Sequence, residues 1–196
     1  MRLEALAVST GVVALGEIGD KTQLLALLLA ARFRRPAPII GGIFVATLAN
    51  HLLAAAFGGW IATVVDPRWL RMALGAAFIA VALWMLVPDR ADDDANPSHG
   101  LAARLGVFGF TVLAFFVAEM GDKTQVATVM LAARFDAIVA VTAGTTLGMM
   151  IANVPAVLLG ERAVRVVPVR WVHRIAALVF AALGIAVLAG GAAALP

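Results

Sequence analysis

The sequence predicts an all-α integral membrane protein with six transmembrane helices arranged as two inverted three-helix repeats. Three observations predict it. The chain is 63% hydrophobic and 14% charged, whereas soluble domains average about 45–50% apolar and about 25% charged. Its apolar residues gather into six long runs. And the segment EIGDKTQLLALLLAARF at 17–33 returns at 119–135 as EMGDKTQVATVMLAARF.

The runs cover roughly 5–31, 38–65, 70–88, 105–133, 137–160 and 171–195. Each is long enough to cross about 30 Å of hydrocarbon at 1.5 Å per residue. Short polar or arginine-bearing stretches separate them. The longest, from Asp89 to Gly100, carries the acidic run Asp92-Asp93-Asp94 and reads as a solvated loop. The expected organisation is therefore a first three-span repeat over 1–88, a polar cytoplasmic linker over 89–103 and a second three-span repeat over 104–196. The first run continues well past signal-peptide length, and Glu4 lies early in it, so it reads as a retained span.

The two motif segments are identical at eleven of seventeen positions, at an offset of 102 residues. The same offset aligns Arg2 with Arg104, Gly42 with Gly144, Arg68 with Arg170, Trp69 with Trp171 and Phe78 with Phe180. The duplicated unit is thus three spans long. Three is odd, so if every span crosses, the second unit enters from the opposite side. Inverted repeats of this kind are characteristic of secondary transporters, whose sites lie at mid-membrane between the repeats.

Arginine counts orient the chain. One side receives Arg32, Arg34, Arg35, Arg90, Arg104, Arg162, Arg165, Arg170 and Arg174; the other receives Arg2, Arg68, Arg71 and Arg134. The richer side is expected to be cytoplasmic, which places both termini outside. Dual-topology insertion is the competing reading. The same distribution explains the net charge of +3 without nucleic acid. No cysteine is present, which excludes disulfides, thiolate metal sites and a cysteine nucleophile.

Away from loops and span ends, the acidic residues are Glu17, Asp20, Glu119 and Asp122. The only lysines in the protein, Lys21 and Lys123, stand in the same two motifs. On a continuous helix Glu17, Asp20 and Lys21 share a face, as do Glu119, Asp122 and Lys123. Gln23 and Gln125 then lie beside the aspartates, while Thr22 and Thr124 point elsewhere. Gly19 and Gly121 would allow close helix approach or release a carbonyl from the helix ladder. A charge at this depth costs roughly 2.5–3.5 kcal/mol on insertion scales, so these groups must face one another or a water-filled cavity. The bland reading is a pair of structural Glu–Lys contacts one turn apart, which leaves both aspartates unexplained.

Four carboxylates and two ammonium groups sum to −2, a charge that one divalent cation or two protons neutralise. Oxygen ligands without thiols suit hard ions such as Ca²⁺ and Mn²⁺. Clustered carboxylates also raise one another's proton affinity, so protons compete. Asn50 and Asn153, in the second span of each unit, could add carbonyl ligands or simply join helices by hydrogen bonds. Pro155 is expected to kink its helix. His51 reads as a packing residue more readily than as a proton relay or metal ligand. His99 and His173 receive no role. Trp60, Trp69, Trp84 and Trp171 read as interfacial anchors.

At Glu17-Ile18-Gly19-Asp20-Lys21-Thr22 and Glu119-Met120-Gly121-Asp122-Lys123-Thr124 the chain resembles the Gdt-type Ca²⁺/Mn²⁺:H⁺ antiporters. That family includes the Golgi manganese and calcium transporter and bacterial manganese exporters, and it carries two copies of E-x-G-D-[KR]-[TS]. Both copies match fully, and the resemblance spans essentially the whole chain. It implies a secondary transporter exchanging Mn²⁺ or Ca²⁺ for protons, with Glu17, Asp20, Glu119 and Asp122 as the cation site. Lys21, Lys123, Gln23, Gln125, Thr22, Thr124, Asn50 and Asn153 would support it. No cofactor is expected beyond the transported ion. The expected partners are the lipid bilayer, the metal and protons, with self-association into a homo-oligomer left open. Lack of a targeting extension favours a bacterial plasma membrane.

Coupling to protons suits the energetics of export. A divalent ion leaving a negative-inside cell climbs about 4.6 kcal/mol per 100 mV, which inward proton flow can supply. Two other classes compete. An exporter of another cationic solute, such as a basic amino acid, would need a larger cavity; lysine or arginine would then compete with metal flux. An intramembrane hydrolase would need a partner for phosphate or peptide, and no arginine or histidine accompanies these acids.

Overall fold

The computed structural model describes residues 2–87, 99–160 and 169–190, with 99–103 described in backbone only. Among these residues all regular structure is helical. The helices are α1 (Arg2–Glu17), α2 (Lys21–Phe33), α3 (Pro36–Val64), α4 (Pro67–Met85), α5 (His99–Ala118), α6 (Lys123–Phe135), α7 (Ile138–Leu159) and α8 (Val169–Ala189). The expected linker over 89–103 falls largely outside the described residues.

α3, α4, α7 and α8 are each long and apolar enough to cross a membrane. A fifth apolar path exists when Arg104–Ala118 of α5 is taken with α6, the two being bent by 73°. The runs 5–31 and 105–133 are therefore not the continuous helices that their hydropathy suggested. Each is interrupted inside its motif, where a glycine adopts a conformation that helices do not contain.

The duplication is visible in the helices themselves. α2 and α6 begin and end at positions 102 apart. Both stop at a left-handed residue, Arg34 (φ 51°) and Asp136 (φ 45°), whose N–H bonds to the carbonyl of Ala30 and Ala132 respectively. That local bond terminates the helix and holds a conformation that non-glycine residues seldom take.

Packing exchanges between the repeats. α1 lies along α7, and its counterpart α5 lies along α3. The glycines aligned in sequence make both contacts close. A Cβ on Gly144 would lie 2.6 Å from the Leu6 carbonyl and 2.9 Å from Ser9 Cβ. A Cβ on Gly42 would lie 3.0 Å from the Phe108 carbonyl and 2.7 Å from Thr111 Cβ. Leu6 and Phe108, like Ser9 and Thr111, are 102 residues apart. Small residues let helix backbones approach where lipid offers no hydrophobic drive for association. α4 packs against α8, where the equivalent residues Phe78 and Phe180 meet at a ring-centroid separation of 6.3 Å.

Two apolar clusters form the interior. One includes Phe78, Met85, Leu131 and Phe180; the other includes Leu29, Ile43, Phe110 and Phe115. The outward surface is apolar as well, with Leu53, Trp60, Trp69, Trp171 and Leu178 all exposed. Such a surface is one that lipid solvates and water does not.

Candidate metal centre

Each motif folds as a helix break with a defined local cause. α1 ends at Glu17 and α5 at Ala118, just before Glu119. Gly19 (φ 85°) and Gly121 (φ 77°) then carry the chain through the left-handed region, which any Cβ would strain. The turn closes by hydrogen bonds from the N–H of Asp20 to the Glu17 carbonyl, 3.1 Å, and from that of Asp122 to the Glu119 carbonyl, 3.2 Å. Asp20 and Asp122, in extended conformation, are the N-caps of α2 and α6.

The glutamine three residues later completes the break. Oε1 of Gln23 accepts from the Gly19 N–H at 2.9 Å, and Oε1 of Gln125 accepts from the Gly121 N–H at 2.7 Å. This is a variant of the capping box, displaced by one residue. Each glutamine's amide then reaches the opposite repeat. Nε2 of Gln23 donates to the Ala152 carbonyl on α7 at 3.0 Å, and Nε2 of Gln125 donates to Oδ1 of Asn50 on α3. Ala152 and Asn50 are themselves 102 residues apart, so the two clamps are repeat equivalents.

The breaks bring acids from both motifs together. Glu17, Glu119 and Asp122 each present an oxygen, and these oxygens lie within 4.8 Å of one another. Glu17 and Glu119 are fully buried, and Asp122 is nearly so. Asp20 is also buried but lies outside this group of three. One oxygen of each glutamate, Oε1 of Glu17 and of Glu119, is buried without a hydrogen bond among the described residues. Three close carboxylates with unused lone pairs form a hard oxygen donor set, suited to a small divalent cation or to protons.

The threonines correct the sequence expectation. Thr22 and Thr124 do not point elsewhere, because the break re-aims the first turn of each following helix. Thr22 Oγ1 donates to Oε2 of Glu17 at 2.6 Å. Thr124 Oγ1 lies 3.3 Å from Oε2 of Glu119 and 3.2 Å from Oδ2 of Asp122, and its one proton serves one of them at a time. The Thr124 N–H also faces Oδ2 of Asp122 at 3.3 Å. The opening turn of each following helix thus supplies hydrogen-bond donors to the carboxylates.

The lysines behave differently from each other. Lys21 does not pair with Glu17 one turn away; its Nζ lies 3.1 Å from Oδ1 of Asp122 in the other motif. The shared helical face that would pair it with Glu17 is removed by the break. Lys123 is buried; its Nζ donates to the Val87 carbonyl at 3.4 Å and lies 5.9 Å from the ring centroid of Trp84. Trp84 therefore contacts a motif residue in addition to facing outward.

Asn50 and Asn153 are not equivalent. Asn50 donates to the Phe116 carbonyl at 3.3 Å while accepting from Gln125, so its amide joins helices. Asn153 donates to the Met149 carbonyl on its own helix at 3.1 Å, and its Oδ1 is buried without a hydrogen-bond partner among the described residues. α7 continues past Pro155 to Leu159. His51 is fully buried, with neither ring nitrogen hydrogen-bonded among the described residues.

One contact had no sequence rationale. Nε2 of His173, on α8, lies 3.0 Å from the carbonyl of Ile18 inside the first break. The signal that could have revealed both breaks is the D-x-x-Q spacing, a helix-start pattern hidden here within an apolar run.

Comparison with known proteins identifies the family. Residues 5–93 and 107–194 match the family described as divalent cation/proton antiporter GDT1. A Vibrio cholerae protein named "Putative manganese exporter" is 46% identical over 185 residues, 94% of this chain and 90% of that protein. A GDT1-like protein of Synechocystis is 30% identical over 179 residues, 81% of this chain and 84% of its own length. No solved structure matches the chain. With both halves of the duplication matched, the chain is a membrane transporter, not an enzyme, and belongs to the divalent cation/proton antiporter family.

Proposed function

We propose that this protein exports Mn²⁺ from the bacterial cytoplasm in exchange for protons, with Glu17, Asp20, Glu119 and Asp122 as the cation site. The observation that carries this reading is the buried group Glu17, Glu119 and Asp122, whose oxygens lie within 4.8 Å of one another. The four acids and the two motif lysines, with Lys21 at 3.1 Å from Asp122, sum to −2. One Mn²⁺ or two protons neutralise that charge, so the two cargoes exclude each other at a single site. Manganese is chosen over calcium on the name of the Vibrio cholerae relative. Asp20, a buried N-cap in the equivalent position to Asp122, serves as the corresponding ligand when the repeats exchange conformations.

The transport reading requires six passages in two inverted repeats, 1–88 and 104–196, joined by a cytoplasmic linker over 89–103, with both termini outside. Its support is the helix-by-helix correspondence at 102 residues and the exchange of α1–α7 packing for α5–α3 packing. The broken pairs α1–α2 and α5–α6 then each count as one passage. Metal-dependent proton flux in proteoliposomes, run with Mn²⁺, Ca²⁺ and Mg²⁺ in turn, tests the function. Mn²⁺ should drive the fastest flux. Flux that is absent with all three ions, or unchanged in Glu17→Gln, rejects it.

A further inference from the structure

The two breaks are built alike but are covered differently. Over the first, the opening turn of α8 closes down. His173 Nε2 reaches the Ile18 carbonyl at 3.0 Å; since a carbonyl only accepts, this nitrogen carries the proton. Val169 lies so close that a Cβ on Gly19 would stand 2.3 Å from its Cγ1. The second break lies open among the described residues. Met120 is 60% exposed, and a Cβ on Gly121 would meet nothing within 4 Å.

The repeat-equivalent segment in sequence is the opening turn of α4. Arg68-Trp69-Leu70-Arg71 corresponds to Arg170-Trp171-Val172-His173, so an N–H donor stands at the end of each tetrad. Among the described residues no hydrogen bond joins Arg71 to the Met120 carbonyl, the counterpart of the bond from His173 to Ile18. One repeat thus shows the covered arrangement and the other the uncovered one.

We infer that His173 is a positioning residue for the exchange reaction: its hydrogen bond to Ile18 holds the first helix break shut beneath α8, and Arg71 does the same for the second break when the repeats change places. His173 touches none of the clustered carboxylates through the contacts described, so it acts through the backbone of the break. Releasing it frees the turn next to Glu17 and opens the site to the side that α8 covers. This rests on the antiporter reading of the carboxylate cluster.

The absence of cysteine from the chain makes the test direct. The full-length protein carrying Ile18→Cys is placed in proteoliposomes, and an impermeant maleimide is applied from each side. Adding His173→Ala should raise the labelling rate about fivefold, the shift expected when one hydrogen bond is lost; His173→Gln, which keeps an N–H donor, should leave it near the parent rate. In the cysteine-free protein, His173→Ala should lower the maximal Mn²⁺-driven proton flux about tenfold while the half-saturating Mn²⁺ concentration stays within about twofold. Equal labelling with and without His173→Ala, or equal loss of flux in the alanine and glutamine variants, overturns the inference. Loss of Mn²⁺ flux in every protein, wild type included, with the labelling contrast intact, instead overturns the cargo assignment.

Discussion

Nζ of Lys21 lies 3.1 Å from Oδ1 of Asp122, and the two residues belong to different copies of the motif. The cation of one repeat therefore sets the charge felt by the acids of both. The Lys123 ammonium, which is buried, has the Val87 carbonyl, just past the end of α4, among its contacts. The two motifs contribute unequally to the close group of three acids, Glu17 coming from the first and Glu119 and Asp122 from the second.

Removing the Lys21 charge should strengthen metal retention and slow release. Lys21→Met leaves Asp122 without its close counter-charge, so Mn²⁺ should bind about tenfold tighter, a change of roughly 1.4 kcal/mol, with slower turnover. Equilibrium binding of Mn²⁺ by the purified protein and the rate of Mn²⁺-driven proton flux check the two halves. Unchanged Mn²⁺ affinity in Lys21→Met would contradict this role.

Each acid of the cluster should be needed. Glu17→Gln, Glu119→Gln and Asp122→Asn each leave a donor set of lower charge, and each should reduce exchange at least about hundredfold, the scale of a lost charge-assisted ligand. Asp20→Asn should impair exchange too. Since Asp20 lies outside the group of three, Mn²⁺ binding to the protein at rest should suffer less from it than from Asp122→Asn. Flux assays paired with a binding measurement on membrane-inserted protein separate these effects.

The threonine hydroxyls should set metal affinity without carrying charge. Thr22→Val removes the donor to Oε2 of Glu17, which lies at 2.6 Å, and lets that carboxylate turn. Mn²⁺ should bind about tenfold more weakly, as expected for a lost hydrogen bond to a charged group, while Thr22→Ser should remain near wild type. A binding titration of both variants checks this.

The two glycines should differ in tolerance. Alanine at either site meets a positive φ, costing about 1–2 kcal/mol. At Gly19 the new methyl would also strike Val169, 2.3 Å away, whereas at Gly121 it meets open space. Gly19→Ala should therefore lower the thermal unfolding midpoint in detergent more than Gly121→Ala does. Equal midpoints would show that α8 does not press on the first break.

Proton competition gives a signed pH dependence. If Mn²⁺ displaces about two protons, its apparent affinity should rise with pH, by up to about a hundredfold per unit over the range where both protons are bound in the metal-free site. Mn²⁺ binding measured from pH 5 to 8 should show this rise and a plateau at the alkaline end. A flat profile would mean that protons and metal occupy different sites.

Composition and repetition alone determined that lipid solvates this chain, that its two halves correspond at 102 residues, and that four acids and both lysines sit deep within apolar runs. Those properties accumulate along the chain and need no contact to be seen. The family resemblance rested on the same two hexapeptides, each complete in the sequence. Only the tertiary structure decided how the hexapeptides fold. Left-handed glycines and the Asp–Gln cap break each run, yet apolar flanks on both sides hide that break from any hydropathy average. The break turns Thr22 and Thr124 toward the acids and removes the helical face on which Lys21 would have met Glu17. The packing of α1 on α7 and of α5 on α3 then decides the rest, because which carboxylate meets which ammonium depends on distances between helices that sequence order does not contain. His173 shows the same limit: it lies 155 residues from Ile18, and only the docking of α8 makes them neighbours.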